Sequence, residues 1–263
     1  MTRRFTLIAA SAFCLAALVA GSAVPASNRA SGTQPLPAVV ASQVSQTDDA
    51  GANTLTDEER KAGWHLLFDG KTLNGWHNFK RPDIRAGWQV QNGTLICADP
   101  HNAGDIVTIG KYDWFELSID YKITPAGNSG IMFHVTDAGN TAWQTGPEIQ
   151  LLDNKEGKDP NKAAWLYQLY TTDTDATKPP GEWNRLRVLI APEKCEHVMN
   201  GVKYFEYVLG SEDFKERVAK SKFGKMPYFA KSNIGYIALQ GDHGQVSFRN
   251  IKIRPITPEL KSR

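Results

Sequence analysis

Period-two alternation of apolar and polar side chains, broken at short intervals by turn residues, most limits what this chain can fold into. Phe115, Leu117, Ile119 and Tyr121 alternate with Trp114, Glu116, Ser118 and Asp120. Successive side chains on a strand leave opposite faces, so this stretch makes a strand with two different sides. Ile131, Phe133 and Val135 alternate in the same way with Met132 and His134, and Ile149 and Leu151 with Glu148 and Gln150. So do Leu186, Val188 and Ile190 with Arg185, Arg187 and Leu189, and Ile237 and Leu239 with Ala238 and Gln240. Val246, Phe248, Ile251 and Ile253 predict a last strand, kinked near Arg249-Asn250. Turn signals stand between these runs at Asp69-Gly70, Asn92-Gly93, Asn128-Ser129-Gly130, Pro179-Pro180-Gly181 and Asn200-Gly201. Asn200-Gly201 between Val198 and Val202 predicts a tight hairpin. Many short strands with close turns predict an all-β, antiparallel sandwich or barrel. There is no internal repeat.

Helices are minor and belong on the surface. Thr56-Asp57-Glu58-Glu59 fits a capping box, with Gly63 as a stop. Ser211 to Lys222 predicts a second helix capped by Ser211, with cations weighted to its later turns. Neither carries a chemical motif.

The N-terminus is expected to lie outside the fold. Arg3 and Arg4 precede an apolar run from Phe5 to Ala20, and small residues follow at Gly21, Ser22, Ala23 and Ala26. That order is a secretory signal peptide over residues 1–26, cut after Ala23 or Ala26. The run is shorter than the roughly 20 apolar residues a membrane anchor needs, so no stable membrane span is expected after cleavage. Phe13 beside Cys14 argues against lipid attachment there. Residues 27–53 are rich in Ser, Ala, Thr, Gln and Pro and read as a flexible leader. One domain is expected over residues 54–256, with a tail at 257–263, and a periplasmic or extracellular location follows from export. The formal net charge of +2 gives no electrostatic case for nucleic acid. Cys97 and Cys195 survive cleavage and could pair, although two cysteines make no framework, and no zinc spacing is present.

Candidate chemistry concentrates in a few places. The chain holds seven Trp and eight Tyr, whose faces suit sugar rings, although most Trp in a sandwich belong to the core. Trp143 differs in standing in a polar loop, Gly139 to Gly146. Glu148 and Gln150 leave one strand on one face, either as a ligand-facing row or as a solvated outer surface. A retaining glycosidase needs two carboxylates about 5–5.5 Å apart. Gln150 stands where the second acid would be, so double displacement is disfavoured at this strand, with Asp153 or a distant acid left open. His134 can titrate near neutral pH, although a lone strand histidine is more often structural. Gln240-Gly241-Asp242-His243-Gly244 ends a strand in a glycine-flanked loop, with room either for a ligand or for an Asp–His turn bonded to itself.

In order along the chain stand Gly63-Trp64, Leu67-Phe68-Asp69-Gly70-Lys71-Thr72-Leu73-Asn74-Gly75-Trp76 and Asn128-Ser129-Gly130-Ile131. Gly146-Pro147-Glu148-Ile149-Gln150, Leu152-Asp153-Asn154, Gly181-Glu182-Trp183-Asn184 and Asn200-Gly201 follow, then Gln240 to Gly244 and Phe248-Arg249-Asn250-Ile251. Together they resemble the 3-keto-disaccharide hydrolase family, also described as 3-keto-glucoside lyases and 3-keto-2-hydroxy-glucal hydratases. The resemblance covers about residues 63 to 254 and implies a concanavalin A-like jelly roll. The family usually reads Gln-Asp-His-Gly, whereas Gly241 is inserted here. It often has Arg where His134 stands, and a His where this chain reads Lys155-Glu156-Gly157-Lys158.

The resemblance implies a carbohydrate or oxidised glycoside as partner. It also implies cleavage of 3-keto-glycosides by C2 proton abstraction, elimination and rehydration. On that basis Glu148 or His134 would be base and acid. Asn128, Gln150, Gln240 and His243 would hold hydroxyls or the enolate oxygen, and Trp143 would form a stacking wall. No cofactor is required by the sequence, and a divalent metal on Asp, Glu and His is possible in place of protein donors. A non-catalytic carbohydrate-binding module is the alternative, and a conventional glycosidase a lesser one.

Overall fold

A computed structural model describes residues 51–257. The expected signal peptide, most of the expected leader and nearly all of the expected C-terminal tail lie outside those residues. The elements in chain order are α1 (Asp57–Lys61), β1 (His65–Leu66), β2 (Trp76–Asn78), β3 (Trp88–Gln91), β4 (Thr94–Cys97), β5 (Ile106–Thr108), β6 (Phe115–Ile123) and β7 (Asn128–Val135). Then follow β8 (Glu148–Leu152), β9 (Asn184–Ile190), β10 (Cys195–Met199), β11 (Val202–Tyr207), α2 (Glu212–Lys220), β12 (Tyr236–Leu239) and β13 (Val246–Pro255).

Two antiparallel sheets form the sandwich. One has the order β11-β10-β9-β6-β13-β4-β3, with β1 also pairing with β13. The other has the order β2-β5-β12-β7-β8. Alternation decides what lies between them. Leu117, Ile119, Leu186, Val188 and Phe248 of the large sheet join Ile131, Phe133, Ile149, Leu151 and Leu239 of the small one in a single buried core. The polar residues of β6 and β9 take the outer face of the large sheet. There Glu116 pairs with Arg187 and Arg254, and Asp120 takes the Arg185 guanidinium at 2.7 Å.

The local signals act as the sequence predicts. Thr56 and Glu59 form a reciprocal capping box on α1. Asn200 and Gly201 join β10 to β11 with φ of 50° and 84°, the paired left-handed conformations that a two-residue hairpin needs. The kink in β13 is a register shift between Arg249 and Lys252, with Asn250 at φ 52°.

Three boundaries differ from expectation. Asn53 is not leader: it is buried, and its amide donates to Asn250 Oδ1 at 2.6 Å. Asn128-Ser129-Gly130 is not a turn but the start of β7, paired with β8. Helix α2 stops at Lys220, because Ser221 is extended (ψ 175°) and caps a new 3-10 turn over Lys222–Lys225. Cys97 and Cys195 are both buried free thiols, and burial pushes them up to about 12 and about 11. Among the described residues no helix is long and apolar enough to cross a membrane.

Candidate functional site

The outer face of the small sheet carries a cavity of about 190 Å³ lined by Asn128, Trp143, Glu148, Gln150, Asp159, Tyr167, Lys222, Gln240 and His243. Strand parity builds its floor. In the register of β7 on β8, Gly130 faces Gln150 and Met132 faces Glu148. Glu148, Gln150 and Asn128 therefore share the face opposite Ile149 and Leu151. Gln240 joins them because its amide donates to the Gly130 carbonyl at 2.9 Å, extending β12 alongside β7. Trp143 arrives on a 3-10 turn, Ala142–Gln144, and His243 on the loop after β12.

The floor is rich in polar groups without protein partners. Asn128 Oδ1, Gln240 Oε1 and both amide atoms of Gln150 are buried and unbonded among the described residues. Gln150 is 1 % exposed. Buried polar atoms in folded proteins almost always find partners, so four such atoms converging on one cavity mark it as the seat of a polar ligand. Glu148 is 6 % exposed, and among the described residues no side chain or amide hydrogen-bonds its carboxylate. Burial pushes its carboxyl up to about 7, with Lys222 opposing that rise and Asp105 adding to it. Asp105, just before β5, is also pushed up to about 7, by burial and by Asp242, and accepts from the Gly241 amide at 3.3 Å. His243 is raised above the usual histidine range by its bond to Asp242. The turn-like Asp–His bond foreseen from the sequence thus forms, and the same imidazole lines the cavity.

Six of the seven sequence candidates meet here; His134 does not. Parity places it beside Met132, but β7 carries an extra residue. Between Met132 and Val135 it advances three positions while β12 advances two, from Ala238 to Tyr236. His134 sits in this bulge at φ 53°, which turns its ring to the core side, against Trp114, Phe115 and Phe133. Its Nε2 donates to the Asp113 carbonyl at 2.5 Å, it is 2 % exposed, and burial depresses its pKa. Asp153 is likewise structural, accepting from the Ala126 and Lys155 amides at 2.9 and 3.0 Å.

Three cavity residues escaped the sequence reading. Asp159 and Tyr167 lie on an irregular segment that runs beside β8, with the Tyr167 amide on the Glu148 carbonyl at 2.9 Å. Ala164 and Gln168 there have φ of 65° and 60°, so no period announces it. Asp159 Oδ1 accepts from both nitrogens of Asn161 and Oδ2 from the Tyr167 hydroxyl at 2.9 Å. Both oxygens are thus engaged by protein donors. Lys222 follows α2, where only a surface helix is foreseen. Among the described residues no three His, Cys, Asp or Glu side chains gather as a metal set.

Comparison with known proteins agrees with this architecture. The family model of the 3-keto-alpha-glucoside-1,2-lyase-like domain matches residues 63–254. A 3-keto-disaccharide hydrolase of Bacteroides thetaiotaomicron is 30 % identical over 227 residues, covering 73 % of this chain and 78 % of the relative. A crystal structure of a proposed glycosyl hydrolase from Parabacteroides distasonis superposes with a TM-score of 0.72 at 36 % identity, covering 78 % of this chain and all (100 %) of that one. A second proposed glycosyl hydrolase from the same organism gives a TM-score of 0.58 at 28 % identity, covering 73 % and 99 % of the two chains. With most of its sandwich inside the matched region, this chain belongs to the 3-keto-alpha-glucoside-1,2-lyase-like domain family.

Proposed function

We propose that this protein cleaves 3-keto-glycosides, with Glu148 as the base that removes the C2 proton. Its membership of a lyase-like family and its likeness to a 3-keto-disaccharide hydrolase support an enzyme acting on sugars. The observation that carries the finer reading is the Glu148 carboxyl: buried on the cavity floor, unbonded among the described residues, and pushed up to about 7 by burial. A general base works best when its pKa lies near the working pH.

A carbonyl at C3 acidifies the C2–H bond. Glu148 takes that proton and the C2–H electron pair moves onto the C3 oxygen as an enolate; its return forms the C1=C2 bond as the C1–O pair leaves with the aglycone. The aglycone oxygen takes a proton from His243, which Asp242 holds toward its charged form. Water then adds across the double bond, OH to C1 and H to C2, so the net result is hydrolysis without net oxidation. Asn128, Gln150 and Gln240 hold sugar hydroxyls through amide atoms that lack protein partners among the described residues, and Trp143 offers a ring face.

The test is to incubate the mature protein with a 3-keto-glucoside and with its unoxidised parent in heavy water, followed by NMR. Cleavage of the keto sugar alone, with deuterium entering C2, is expected. Cleavage of the parent would show an ordinary glycosidase instead, and binding without turnover a carbohydrate-binding module. Export is part of the same proposal, resting on the basic, apolar and small-residue order of the first 26 residues. N-terminal sequencing of the protein from the host envelope or medium should begin after Ala23 or Ala26.

A further inference from the structure

We propose that Lys222 is a further catalytic residue of this reaction: the cation that holds the C3 oxygen of the oxidised sugar while Glu148 takes the C2 proton. The inference rests on the reaction proposed above and names its electrophile.

The backbone of Lys222 is fixed at the cavity. Ser221 ends α2 and accepts from the Phe223 amide at 3.1 Å, starting the turn. Phe223 then stacks on Phe229 with ring centroids 3.9 Å apart, and the Lys222 amide donates to Gln168 Oε1 at 3.1 Å. The last bond ties Lys222 to the segment that carries Tyr167.

The side chain is held against aromatic rings. Lys215 and Lys220 of α2 pair with Glu212 and Glu216 at 2.7 and 3.3 Å. Lys222 lines the cavity, and among the described residues no salt bridge includes it. Its Nζ instead stands 4.3 Å from the centre of the Tyr167 ring, 5.0 Å from that of Trp143 and 5.2 Å from that of Phe223. A ring face holds a cation through its quadrupole, and a charge-assisted bond to an oxyanion is stronger. A sugar ring that stacks on Trp143 would displace the ammonium from that face while bringing its own oxygens to it.

The charge is where the chemistry needs it. Removing the C2 proton delocalises negative charge onto the C3 oxygen, one atom away from the carbon that loses the proton. After burial, Lys222 is the foremost influence on the Glu148 carboxyl, so ammonium and base act on one small space. The other basic side chain lining the cavity, His243, is half-exposed and bonded to Asp242. The floor amides are neutral. Lys222 is the group free to meet a full negative charge, and such preorganised charge contributes to the transition state rather than to ground-state binding.

The test compares Lys222→Met, Lys222→Arg and wild type on a 3-keto-glucoside, measuring kcat, KM and deuterium entry at C2. Lys222→Met keeps the apolar stem at an exposed position and removes only the charge. Its kcat and its exchange rate should fall together by about 10²-fold, the scale of losing one oxyanion donor, with KM little changed. Lys222→Arg should recover part of that loss. The acid limb of the kcat/KM profile should also move to higher pH in Lys222→Met, because Glu148 loses its nearby cation. An active wild type with Lys222→Met exchanging at the same rate, or losing only in KM, would overturn the role of Lys222 alone. A wild type that neither exchanges nor cleaves would overturn the underlying reaction as well.

Discussion

The Glu148 carboxylate lies against the bare Cα of Gly130 on the neighbouring strand: a Cβ at Gly130 would stand 2.9 Å from Glu148 Cδ. Gly130 is not in the left-handed region, so its backbone does not require glycine; the space above it does. Gly130→Ala should therefore fold, lose about 1–3 kcal/mol to overpacking, and push the carboxylate off its position. A displacement near 1 Å can cost about 10²-fold in rate. Urea unfolding and steady-state turnover on a 3-keto-glucoside check both halves. Unchanged turnover would mean that the placement of Glu148 over Gly130 is irrelevant to the chemistry.

Glu148 also leaves a mark on stability against pH. Its folded value, about 7, lies above the ordinary 4.5. The folded state keeps the proton where the unfolded chain has lost it, so this group's contribution is fully present below about pH 4.5 and is lost as pH rises through about 7. The shift corresponds to on the order of 3 kcal/mol. Glu148→Gln cannot titrate and should gain on wild type across that window, while losing turnover. Melting temperatures at intervals from pH 4 to 8 decide the matter: parallel curves for the two proteins would show that Glu148 ionises freely.

The same titration shapes the rate. The base form of Glu148 appears as pH rises through about 7, and the acid form of His243 is lost above a histidine value that Asp242 raises. A bell-shaped kcat/KM profile is expected. Asp242→Asn should move its alkaline limb to lower pH, since the carboxylate that favours imidazolium is gone. A limb that stays in place would exclude His243 as the acid.

Asn53 and Asn250 fasten the N-terminal end of the domain. Each side-chain oxygen takes the other's amide, at 2.6 and 2.9 Å, and Asn53 Nδ2 reaches the Gly93 carbonyl at 2.8 Å. Asn53→Ala would leave the buried Asn250 amide without its acceptor, at about 1–3 kcal/mol. A chain beginning at Thr54 should unfold at lower urea than one beginning at Ala52. Equal midpoints would return Asn53 to the leader.

The sandwich was legible because burial on one face imposes a period of two, and the turns between strands need residues that tolerate positive φ. Glu148 and Gln150 were legible as a pair for the same reason, and Gln240 as the start of the glycine-flanked loop that ends a strand. His134 was misplaced by that logic, since a bulge changes parity and nothing in Phe133-His134-Val135 marks one. Tyr167 and Asp159 belong to a segment without period, held by backbone bonds to β8 that no local pattern encodes. Lys222 was hidden by the charge pattern of α2, which continues past the point where Ser221 turns the chain.

Gln150 separates stability from function most sharply. Among the described residues both of its amide atoms are buried without partners, on the cavity floor beside Glu148. An unsatisfied buried polar group costs about 1–3 kcal/mol, and replacing it with an apolar group of similar size removes that cost. Gln150→Leu should therefore raise the melting temperature, unlike most changes at a buried position. It should also weaken binding of the keto sugar, because the floor loses the donor and acceptor aimed at the ligand. Thermal melts and substrate titration on the same preparation read both effects. A Leu variant that is less stable, or that binds as before, would show that the Gln150 amide serves the fold and not the ligand.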